Sequence, residues 1–159
     1  MTDPTPEKVV RPSLRRGIVL RAGEDSVMII GEGRRSSVGY ATFFPTPRTE
    51  RVSPGHLVAV AAAPDGTSVV VWRWFDAVVL GEERGLFRLW EPAHGEVTAQ
   101  ARPARRPRVP GGRAYLSAGF PGAEWWVAGA VTGRAEDADV ELDEVERFCT
   151  HHDLWNRLV

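Results

Sequence analysis

Up to residue 102 the apolar residues of this chain fall in short runs broken by links that contain glycine or proline. Nowhere before residue 135 do they recur at the three- and four-residue spacing of a helix. Short runs bounded by turn residues mark β-strands. RGIVLRAGEDSVMIIGEG holds two of them, 17–22 and 26–30, joined by Gly23-Glu24-Asp25 as a hairpin would be, and 37–44 is a third. Residues 45–55 carry Pro45, Pro47, Pro54 and Gly55 and are predicted to be a long loop, because proline gives a sheet no donor. HLVAVAAAPDGTSVVVW then has Pro64-Asp65-Gly66 between two apolar runs: proline presets φ for the turn and glycine accepts positive φ. GEERG, 81–85, joins DAVVL to LFRLW in the same way, and the segment from Pro92 to Gly95 turns the chain toward EVTAQAR. Two more strands, AYLSA and EWWVAGAV, flank the turn at 119–122.

Only the end reads as helical. In residues 142–158 the apolar positions Leu142, Val145, Phe148, Cys149, Trp155 and Leu158 make one stripe, with Asp143 and Glu146 as a capping box. The pattern therefore predicts a mainly β protein, an antiparallel meander closing into a β-barrel or barrel-like sandwich with a C-terminal amphipathic α-helix. Residues 1–13 are expected to be a flexible tail and 14–159 one domain, interrupted by an Arg/Pro-rich loop at 102–113.

One run breaks its own pattern. In VVVWRWFDAVVL, 69–80, regular alternation sets Trp72, Trp74 and Asp76 on one face and Arg73 with Phe75 on the other, so neither face is uniformly apolar. A bend or bulge near 74–76 is the expected resolution.

Composition narrows the class. With 43% hydrophobic and 26% charged residues the chain is neither disordered nor membrane-embedded, and its one cysteine, Cys149, forms no internal disulfide. Residues 1–14 lack the apolar core of a secretion signal, so a cytoplasmic location is expected, and no run of about 18 apolar residues suggests a membrane partner. The net charge of -1 hides an asymmetry. Residues 101–120 hold five arginines and no acid, and residues 121–159 hold nine acids against three arginines.

Candidate chemistry is sparse. Trp72, Trp74, Trp90 and Trp125 are the candidates to line a mouth for a planar or apolar ligand. His94, between Glu91 and Glu96, is a candidate general base, and His56, Asp76 and Arg73 complete a weak catalytic set. Arg105, Arg106 and Arg108 are the anion-binding candidates, with pairing to the acidic 136–146 region as the competing role. Cys149 and His152 share a helix face but lack two further ligands for zinc, and 136–144 lacks the spacing of a calcium loop, so neither a metal nor another cofactor is expected. The leading expectation is a small binding or interaction module that takes a protein partner or a planar ligand on an aromatic-rich surface. The alternatives are a cofactor-independent barrel enzyme and RNA or DNA binding through the Arg-rich loop.

Overall fold

The computed structural model describes residues 13–44, 52–63, 65–103, 106, 107, 111–118, 125–130, 140 and 142–159. The described strands are β1 (Leu14–Ala22), β2 (Val27–Gly31), β3 (Arg34–Tyr40), β4 (Leu57–Ala62), β5 (Ser68–Glu83), β6 (Leu86–Glu91), β7 (Gly95–Gln100), β8 (Arg113–Ala118) and β9 (Trp125–Ala130), followed by the helix α1 (Leu142–His151). The mostly antiparallel β architecture with a C-terminal helix, expected from the sequence, is what forms. The expected N-terminal tail lies outside the described residues, apart from Ser13, as does the 45–51 part of the proline-rich loop expected at 45–55.

The hairpins β1–β2, β2–β3, β4–β5, β5–β6 and β6–β7 run sequentially. Between them the chain closes on itself twice. β1 pairs with β4, and β3 lies parallel to the start of β5, so β1-β2-β3-β5-β4 closes back onto β1. The second half of β5 then pairs with β6 and β8, while β7 lies parallel to β9, so β5-β6-β7-β9-β8 closes back onto β5. Each ring has the strand order of the five-stranded Greek-key barrel known as the OB fold. VVVWRWFDAVVL belongs to both: its register with β4 ends at Trp74, and its register with β8 begins at Phe75.

The two rings match residue for residue. Ile18 pairs with Ile30 as Val78 pairs with Trp90, and Val19 with Ile29 as Val79 with Leu89. The extra residue of the first bulge is Leu20 in one ring and Leu80 in the other. The second bulge falls at Val71 in β5 and at Ala128 in β9. Just before the fourth strand of each ring, Gly55 at φ 89° and Gly111 at φ 85° donate their amides to the carbonyls of Val19 and Val79 at 2.8 and 3.0 Å. A side chain at that φ is disfavoured, which is why glycine stands at both places.

Two cores follow. Val19, Val27, Ile29, Val58, Val60 and Val70 fill the first, and Phe75, Ala77, Val79, Phe87, Leu89 and Leu116 the second. α1 joins the first, through Val145 and Cys149. Its Phe148 meets the Trp72 ring edge-on at 4.9 Å. The helix is shorter than the stripe at 142–158 implies. Asp153 takes a left-handed φ of 53°, the Leu154 amide bonds back to the Cys149 carbonyl at 2.9 Å and the Asp153 amide to Thr150 at 3.2 Å. That is a Schellman termination built on an aspartate in place of the usual glycine, so no glycine in the sequence announces it. No described helix is long and apolar enough to cross a membrane.

Candidate functional site

In OB barrels the outer face of the second and third strands is where oligonucleotides and oligosaccharides lie. On the first barrel of this chain that face carries two cross-strand rows, Ile18–Ile30–Arg35 and Arg21–Met28–Ser37. Leu20 and Met28, 39% and 38% exposed, add apolar surface to this face. Between Ile18 and Ile30 lies a depression of about 70 Å³, bordered also by Arg16, Gly17, Gly31, Glu32 and Leu57. Gly31 is required there, since a Cβ on it would come within 2.5 Å of the Arg16 carbonyl oxygen. Arg21 and Arg35 are exposed at the two sides of the rows, with Arg34 at the end of β3. Among the described residues no carboxylate pairs with any of these three.

The equivalent face of the second barrel has different chemistry. Its rows are Val78–Trp90–Glu96 and Gly81–Arg88–Thr98. Val78, Leu80, Leu86 and Trp90 are all partly exposed, Trp90 the most at 47%. Two of its cations are paired with acids. Arg88 pairs with Glu96 at 3.2 Å, and Arg113 closes a two-point contact on Asp76.

Where the two cores abut, the structure gathers several residues the sequence nominated for catalysis. Arg73, turned into the barrel interior, lays its guanidinium over the Phe75 ring at 4.4 Å and reaches Phe44 at 5.9 Å. His56 and His94 meet the same Phe75 ring edge-on at 5.6 and 5.2 Å, and Trp125 at 5.3 Å. The Glu91 carboxylate is buried, and its Oε2 accepts from the Ala93 amide at 3.0 Å, the His94 amide at 2.8 Å and the His94 Nδ1 at 2.7 Å. An imidazole so oriented has the form of a general base. Among the described residues, however, His94 makes no hydrogen bond to a hydroxyl or thiol. Asp76 stands apart from this cluster, on the outer face with Arg113.

His56 accepts at Nδ1 from the Ser53 amide at 3.0 Å, which leaves the proton of its neutral ring on Nε2. Burial, and then the nearby Arg73 charge, hold its pKa below the ordinary value, against weaker upward pulls from Glu91 and Asp76. Below the unfolded histidine value of about 6.5, the unfolded chain therefore binds a proton that the folded protein resists, and this group costs stability as the pH falls. We expect His56→Gln to lessen the drop in the urea midpoint between pH 7.5 and 5.5. A drop as steep as the wild type's would show that His56 is not its source.

The four tryptophans nominated for a ligand mouth do not converge. Trp74 is 2% exposed inside the first core, and Trp72 is half-buried between Phe148 and Ser117, to whose hydroxyl its Nε1 donates at 3.2 Å. Trp125 packs on Phe75 and His94, leaving Trp90 alone on an open face. In the Arg-rich loop, Arg105 and Arg108 lie outside the described residues. Arg106 pairs with Glu82 and lies 5.6 Å from the Phe87 ring centre, and Arg102 pairs with Glu144 at 3.0 Å. No three His, Cys, Asp or Glu side chains among the described residues are placed to hold a metal ion. Cys149 is buried, and burial raises its thiol pKa to about 11.

No protein-family model matches the chain, and no curated protein matches it. Among solved structures it is similar to a multidomain protein with nucleic acid binding domains from Streptococcus pneumoniae, at 10% identity and a TM-score of 0.32. That likeness covers 89% of this chain and 59% of the other, so this chain spans less than two-thirds of its length.

Proposed function

We propose that this protein binds single-stranded nucleic acid on the outer face of β1, β2 and β3. The observation that carries the reading is the pair of rows Ile18–Ile30–Arg35 and Arg21–Met28–Ser37, which lie on the strands an OB barrel uses for oligonucleotides. Arg21 and Arg35 supply cations for phosphates, and the aliphatic and thioether side chains between them supply an apolar bed for bases. The notch between Ile18 and Ile30 receives a base edge. The Arg-rich loop is not needed for this: Arg106 and Arg102 are engaged by the chain's own Glu82 and Glu144.

Fluorescence anisotropy of a labelled twelve-nucleotide single strand tests it. Affinity should fall linearly with salt on logarithmic axes, with a slope of about -0.7 for each phosphate neutralised. The double variant Arg21→Ala, Arg35→Ala should weaken binding and flatten that slope by roughly 1.4, whereas Arg106→Ala should leave it unchanged. Failure of the wild type to bind at low salt would end the reading. A slope that responds to Arg106 and not to the pair would move the contact to the loop.

A further inference from the structure

We infer that the second barrel carries a base-stacking subsite centred on Trp90, so that one strand is held at two places of different chemistry. The inference rests on the nucleic-acid reading of the first barrel and extends it. Trp90 occupies in the second ring the position that Ile30, at the notch, occupies in the first, paired with Val78 as Ile30 is with Ile18. It is the most exposed large apolar side chain of the described strands, at 47% against 41% for Trp126 on β9, while Phe75, Phe87 and Tyr115 of the same barrel are buried. Val78 beside it and Leu80 on the bulge extend the apolar surface, and the Thr98 hydroxyl lies across from Arg88.

Charge separates the roles. On the first face Arg21 and Arg35 have no acidic partner among the described residues. On the second, Arg88 is held by Glu96 and Arg113 by Asp76. Cations already paired with acids gain little from a phosphate, whereas an exposed indole gains from the π-face of any base. The two centres are joined along the sheet through buried positions, Leu57 and Trp74. Ile18 aligns through Leu57 with Trp74, and Val78 is four residues along β5, which sets Ile18 and Val78 within about 25 Å along the sheet.

The test pairs two strands of twelve nucleotides, an oligothymidylate and an abasic strand with the same phosphates, with three proteins: wild type, Trp90→Ala and Trp90→Phe. Trp90→Ala should weaken oligothymidylate binding by between about 5-fold and 150-fold, leave the salt slope unchanged, and have no effect on the abasic strand. Trp90→Phe should keep most of the affinity. Equal weakening on both strands would overturn the inference, because loss of stacking cannot reach a strand without bases. So would an undiminished affinity in Trp90→Ala, and so would a wild-type dimer in sedimentation that Trp90→Ala dissolves, which would make a second copy of the chain the occupant of this face. If Arg21→Ala, Arg35→Ala still alters the slope in any of these cases, the first-barrel reading stands. If the wild type binds neither strand, both fall together.

Discussion

Trp74→Ala is expected to lower stability by about 3 to 5 kcal/mol, which for a domain of this size moves the thermal midpoint down by roughly 6 to 20 °C. The side chain is 2% exposed and stands opposite Leu57, itself fully buried, at the last position where β5 still pairs with β4. Truncation leaves a cavity in the first core at the point where the strand passes to the second barrel, and the rigid sheet on both sides cannot collapse into it. Thermal unfolding followed by circular dichroism checks this. A midpoint unchanged to within a degree would mean that the indole is not packed as described.

Phe75→Ala should cost at least as much, for an additional reason. The ring is 3% exposed, and its removal withdraws the face on which the Arg73 guanidinium lies at 4.4 Å. Arg73 is only 7% exposed, and a cation–π contact desolvated to that degree is worth about 2 kcal/mol or more. The total expected is about 5 kcal/mol, and Phe75→Leu should recover part of the packing and none of the cation–π term. Urea unfolding distinguishes two outcomes. Because β5 belongs to both barrels, the transition should shift as one, with its slope retained. Two separate transitions would show that the second barrel can unfold while the first persists.

The local elements were legible because their turns are written in residue chemistry. Gly23, Asp65-Gly66, Gly85 and Gly95 all fall at or beside hairpin turns, as their tolerance of unusual φ suggests. The closure of each ring was not legible, since the pairing of β1 with β4 spans some forty residues and no local propensity encodes it. The structural correspondence of the two rings has only a faint counterpart in sequence, Ile18-Val19-Leu20 against Val78-Val79-Leu80 sixty positions later, too short to stand out from other aliphatic runs. Strand parity correctly put Trp72 and Trp74 on one face. It could not say that this face is covered, which depends on packing from elsewhere in the chain, as with Phe148 of α1 against Trp72.

The same limit governs the site. Arg21 and Arg35 are ordinary in sequence, and only the register of three strands sets them at the two sides of one apolar bed. The grouping of His94 with Glu91 was readable because both lie on one turn. The approach of His56 and Arg73 to the same ring depends on how the two barrels meet.

Most tandem modules are joined by a linker that can lengthen or shorten by any number of residues. Here the joint falls inside an unbroken strand, between Trp74 and Phe75. An insertion of a single residue there would turn every following side chain of β5 to the opposite face, sending Phe75, Ala77 and Val79 outward and Asp76 and Val78 into the second core. A single-residue insertion at the boundary is therefore tolerated only where a further bulge absorbs it, as Val71 and Leu80 are absorbed in the same strand, whereas a whole pair of residues, about 6.6 Å of strand, keeps the alternation of both barrels.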